Sequence, residues 1–216
     1  MGEARRRELD ARAAAFAKTD RCIFCGGIVE ATTVDHCPPR SIFSNRKWPE
    51  GYVFPACGAC NSGSKRSENW VAMMSRMHSG PEADEETSAS ELYRLGKPLM
   101  TPSVLKAMGL SANKKRELAK RIGVSPEPGE TYAEMAFLAV PPEATAAVEV
   151  FAPKIAKALH FMHTDRIVPV AAAIRYRWFT NVNRMDGTLP DDVFTIPTGG
   201  PVLRRANVDL NDQFNY

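Results

Sequence analysis

Residues 22–37 read CIFCGGIVEATTVDHC, and residues 57–61 read CGACN. The two Cys-x2-Cys pairs, Cys22 with Cys25 and Cys57 with Cys60, stand 31 residues apart. One such turn offers two thiolates to a tetrahedral ion, and two turns close a structural Zn2+ site. Gly26 and Gly27 follow the first pair, while Gly58 and Ala59 lie inside the second. Small residues let the backbone approach a metal closely. Disulfides are the rival reading and the weaker one, because nothing in the chain points to secretion. The opening MGEARRRELDARAAAFAK is charged throughout and lacks the apolar stretch of a signal peptide. The expected compartment is the cytoplasm.

A staple from residue 22 to residue 60 folds the intervening loop around itself. That loop carries Asp35 and His36 at the end of a β-branched run, just before Cys37-Pro38-Pro39. Asn61 follows the last cysteine directly. Cys37 reads as a small buried β residue rather than a fifth ligand.

Two CxxC pairs, an internal Asp-His and a terminal Cys-Asn together resemble the HNH endonuclease superfamily, with its ββα-metal fold. The layout is most similar to the zinc-stapled, endonuclease VII-like branch, and the likeness covers about residues 20–75. It implies a treble-clef-like core in which the four cysteines hold zinc. It makes His36 the general base, and Asp35 and Asn61 the ligands of a catalytic divalent ion. Two positions depart from the pattern. The central Asn of the HNH name falls at Tyr52, and the last motif residue is Asn61 rather than His, which excludes a three-histidine metal site.

The chemistry is coherent in its own terms. Phosphodiester hydrolysis needs water deprotonated near neutral pH, and histidine titrates there. It also needs a cation against the scissile phosphate. A carboxylate and an amide carbonyl are hard oxygen donors, which suit Mg2+ or Mn2+. Asn61 is expected to open a helix. One geometric demand follows: neighbours on a regular strand face opposite ways, so Asp35 and His36 converge only if the strand is distorted. The two prolines offer a cause.

Arg40, Lys65 and Arg66, with Arg46 and Lys47, are candidate phosphate contacts; solvated surface charge is the alternative for each. Glu68, two helical turns after Asn61, reads as structural, and Trp48 and Trp70 as core. His160 and His163 lack further ligands nearby. The basic run KKRELAKR, residues 114–121, reads as an exposed helix face.

Length and composition allow one domain with additions, or a small module beside a larger one. The 216 residues are 44% hydrophobic and 25% charged, near the globular average. No run approaches the roughly eighteen apolar residues of a membrane span. The net charge is +3, but residues 1–80 hold 12 Lys/Arg against 8 Asp/Glu and the remainder 16 against 17. The basic excess therefore sits where the motifs are, which permits a polyanionic partner.

The expected class is α+β. Residues 1–20 form an N-terminal helix, 21–80 the nuclease core, and 88–216 an α+β region that tunes substrate choice or forms a homodimer. Strand-like runs are Thr32–His36 and Gly51–Pro55. Residues 62–77 turn helical, and 81–87 form an acidic connector. Three short helices follow, each opened by Ser or Thr and ended at Gly. A further helix is broken at Pro153, and residues 166–181 and 193–197 are expected to be extended. The function expected is hydrolysis of DNA, possibly RNA, phosphodiesters. The competing class is a non-catalytic zinc-finger module that binds nucleic acid or acts as a scaffold. A cysteine nucleophile at Cys37 is the poorest option, since adjacent Cys and His do not readily hydrogen-bond.

Overall fold

The computed structural model describes residues 2–43, 50–77 and 85–190. Within these the protein is α+β, with one small two-stranded sheet and eight helices. Two compact units divide the chain. Of the described residues, 2–99 and 144–176 form the first, and 100–143 with 177–190 the second.

In the first unit, α1 spans Glu3–Lys18, as its helix-forming composition predicts. A knuckle carrying Cys22 and Cys25 follows, closed by a bridge between Arg21 and Glu30. Strand β1 (Thr33–His36) pairs antiparallel with β2 (Val53–Ala56) in the register Thr33↔Ala56 to His36↔Val53. A single 3-10 turn, Arg40–Ile42, lies in the connection. Helix α2 (Gly58–Gly63) leaves β2 at once, and Ser64 hinges it to α3 (Lys65–Arg76). Asn61 therefore sits inside α2 instead of opening a helix. Cys57 takes the capping position, because its Sγ accepts from the Cys60 amide.

Helix α3 buries Trp70, Ala72 and Met73. It packs against α4 (Glu85–Gly96) and the 3-10 turn. Of the acidic stretch expected as a connector, residues 85–87 are helical and 81–84 lie outside the described residues.

Helix α7, Pro142–Thr164, runs on without the break expected at Pro153. A proline removes one backbone donor, at a cost of about 3 kcal/mol. Here Ala144, Ala147, Lys154, Ala158 and Phe161 lie buried on one stripe that continues across it. Packing of both halves outweighs the lost bond. That stripe covers the hairpin and the knuckle: Phe54 meets Phe24 and Phe161 edge to face, at centroid distances of 6.4 and 6.5 Å. Such pairs add about 1 kcal/mol beyond burial. Cys22, Ile23, Cys37, Tyr52 and Ala56 complete this core.

The second unit holds α5 (Pro102–Met108), α6 (Ala112–Ile122) and the short α8 (Asn181–Met185). Thr101 and Ser111 cap α5 and α6, and Gly123 ends α6 at φ 74°, as the start and stop signals predict. Among the described residues the expected strands do not form. Residues 166–180, most of them in the first unit, enter no ladder and turn at Val170 and Ala171, and residues 193–197 lie outside the described residues. This stretch packs by side chain instead. Ile167 packs on the core and Val170 against Gly26. Among the described residues, the additions to the hairpin core are therefore helical and irregular rather than mixed α/β.

Candidate metal centre and the two faces of the hairpin

The four cysteines converge. Gly26 and Gly27, at φ 73° and 79°, turn the chain back after Cys25 in a conformation that side chains resist. Cys57 and Cys60 stand one turn apart at the start of α2. The four sulfurs all lie within 4.8 Å of one another, and all are free thiols. Four thiols at this spacing form a closed ligand set that could hold a metal such as zinc, with no position open for catalysis. Cys37 stays outside it. It is fully buried, and burial pushes its thiol far up from the ordinary range.

Asp35 and His36 do not share a site. Strand β1 keeps regular pairing to its end, Asp35 opposite Phe54 and His36 opposite Val53, so their side chains leave opposite faces. Asp35 is 6% exposed and turns towards α7, where its Oδ2 lies 2.5 Å from Lys154 Nζ. Lys154 also pairs with Glu68 and donates to Ser64 Oγ at 2.6 Å. Ser64 in turn donates to Glu68 at 2.7 Å. Burial acts most strongly on both ions of this pair. It raises the Asp35 carboxyl, against the pull of Lys154. For Lys154 burial works against the charge, but the Asp35 and Glu68 carboxylates outweigh it and hold the ammonium above its ordinary range.

His36 faces a broad cleft of about 1540 Å³ beneath α1, with Arg40 in the same wall. Its pKa falls from 6.5 to about 4, first through burial and then through the Arg40 charge, with Glu8 opposing. The imidazole is thus neutral at pH 7. The cleft has no net sign. Arg5, Arg7, Lys18 and Arg40 are balanced by Glu3, Glu8, Asp10 and Glu50.

Asn61 joins neither face. Its amide donates to Thr33 Oγ1 at 3.2 Å and to Val34 O at 3.1 Å, bracing α2 against β1. Lys65 and Arg66 are exposed in the first turn of α3. Arg46, Lys47 and Trp48 lie outside the described residues. Glu68 is structural and Trp70 is core, 8% and 1% exposed. The basic run on α6 is partly committed, with Lys115 donating to the carbonyls of Ala133 and Met135 and Arg121 pairing with Asp186. His160 and His163 join no cluster of potential metal ligands among the described residues.

The residue that sequence reasoning missed is Lys154. A signal for it existed: Lys154, Ala158 and Phe161 fall at i, i+4 and i+7, so the lysine shares the buried stripe of α7.

No family model, curated protein or solved structure matches this chain. Among the described residues, no helix is long and apolar enough to cross a membrane.

Proposed function

We propose that this chain is a zinc-stapled nuclease of the HNH kind, acting on DNA phosphodiesters with His36 as general base. The observation that carries the reading is His36 itself. It ends the first strand of a hairpin-then-helix unit beside the four clustered cysteines and shares an open cleft with Arg40, where burial leaves it unprotonated but a weaker base than an ordinary histidine. In this reading zinc on Cys22, Cys25, Cys57 and Cys60 is structural, and the core is a treble-clef-like ββα-metal unit. His36 takes a proton from the attacking water, and Arg40 offsets phosphate charge. Lys65 and Arg66 are further backbone contacts.

The divalent ion that the resemblance implies does not fit the residues proposed for it. Lys154 already neutralises Asp35, and Asn61 directs its amide nitrogen at β1. No step is assigned to such an ion.

A second reading has one observation in its favour. The balanced charge of the cleft gives no electrostatic funnel for a polyanion, which suits a zinc-stapled binding or scaffold module without catalysis.

The test is nicking of supercoiled plasmid by wild type and His36→Ala at equal zinc content. Cutting by the wild type alone supports the nuclease. If neither protein cuts under any divalent ion while both bind DNA, the binding module takes its place.

A further inference from the structure

We propose that Lys154 is the resident cation of the Asp35 site and that it excludes divalent metal from it. The inference deepens the nuclease reading by saying how that site is charged, and its test is read without DNA.

Three oxygens converge on one nitrogen: Asp35 Oδ2 at 2.5 Å, Ser64 Oγ at 2.6 Å, and Glu68 Oε1. The ammonium donates hydrogen bonds to Ser64 Oγ and Glu68 Oε1, and Asp35 Oδ2 meets it as an ion pair outside hydrogen-bond geometry. The set is hard, acidic and oxygen-only, the kind that otherwise takes Mg2+, Mn2+ or Ca2+. These oxygens come from β1, from the Ser64 hinge and from α3, so the hairpin and the helix each supply a part. The lysine comes from α7, far along the chain, and enters from the core side over the Phe24 ring, 5.1 Å from its centroid. It is 7% exposed, and Asp35 and Glu68 are equally enclosed. A divalent ion could reach these oxygens only by expelling a buried charge that is already matched to them. Two carboxylates beside one ammonium nevertheless carry an excess negative charge. Removing the ammonium should therefore open a metal site.

The experiment is a Mn2+ titration followed by electron paramagnetic resonance, on the full chain with its structural zinc retained. The proteins are wild type, Asp35→Asn, Lys154→Met, and Lys154→Met with Asp35→Asn. Methionine keeps most of the buried length while losing the charge. The wild type is expected to leave the free Mn2+ signal unchanged. Lys154→Met is expected to bind one Mn2+ per chain at least tenfold more tightly, and the added Asp35→Asn to abolish that uptake. If Lys154→Met fails to fold, Lys154→Met with Glu68→Gln leaves one fewer unpaired charge and is read in the same way.

Two results overturn the proposal. One is Mn2+ bound by the wild type and lost in Asp35→Asn. The other is a folded lysine variant that takes up no Mn2+. Because DNA is absent, a protein that excludes Mn2+ and cuts nothing defeats the nuclease reading while sustaining this one. Where the wild type does nick plasmid, its rate should change less than twofold on adding Mn2+.

Discussion

Lys154 of α7 touches Asp35 of β1 at 2.5 Å, and the contact joins two segments that are remote in sequence. Breaking a buried pair by removing one partner leaves an uncompensated charge, at a cost of about 3–5 kcal/mol. Lys154→Met is expected to lose that much in urea unfolding. Asp35→Asn in the same chain should recover part of it, with a coupling above about 1 kcal/mol. Additive effects would mean that the two charges do not depend on each other.

Zinc content should be one ion per chain by elemental analysis. Serine at Cys22, Cys25, Cys57 or Cys60 is expected to lose the metal and most of the cooperative unfolding transition, since structural zinc contributes about 10–16 kcal/mol of binding free energy. Cys37→Ala should keep its zinc and lose only about 1–2 kcal/mol to the small cavity. A zinc-free Cys37→Ala would place that residue among the ligands.

Acid should weaken the fold through His36. Its pKa is about 4 when folded and 6.5 ordinarily, so on lowering the pH the unfolded chain takes up a proton first. The stability that His36 contributes is complete above about pH 6.5. It falls away as the pH drops towards 4, and changes no further below that. His36→Gln should show a flatter profile over this window. Loss of zinc in acid affects both proteins and cancels in the difference. Parallel curves for the two would show that His36 titrates in the folded state as it does in free solution.

Asn61 separates a brace from a metal ligand. As a brace it needs its two amide donors, to Thr33 Oγ1 and Val34 O. Asn61→Asp removes them and sets a carboxylate against a carbonyl, so it should destabilise by about 1–3 kcal/mol, at least as much as Asn61→Ala. A metal ligand would behave otherwise, with Asn61→Asp tightening Mn2+ binding and preserving stability.

Gly26 has no room for a side chain. It sits at φ 73°, and a Cβ there would lie 2.6 Å from Val170 Cγ2 and 2.9 Å from the Val170 backbone nitrogen. Gly26→Ala is expected to cost about 1–2 kcal/mol from the backbone conformation alone. The clash adds to this, and zinc should be released more readily to a chelator. Gly58→Ala, whose added Cβ would meet nothing within 4 Å, is the control.

Much of the first unit was legible in the sequence because its signals are local. The Cys-x2-Cys spacings located the thiol cluster, and the β-branched run before Asp35 located β1 to within a residue. Capping residues placed α5 and α6, since a cap acts on the next turn only. Pro153 misled for the same reason. Its local penalty is real, but the buried stripe that overrides it is a tertiary quantity. The run expected to be extended at 166–181 misled in the other direction, because a β-prone segment becomes a strand only where a partner edge is offered.

The candidate site divides along the same line. Alternation along β1 already separated Asp35 from His36, and the distortion that would have reunited them did not form. What each side chain meets depended on the whole chain. The sequence by itself determined which residues bear thiol, imidazole and carboxylate, and that the four thiols lie near one another. Only the tertiary structure decided that the Asp35 carboxylate is answered by a lysine of α7. A buried charge must find its counterion among whatever packing brings near it, and packing is set by elements that are distant in sequence.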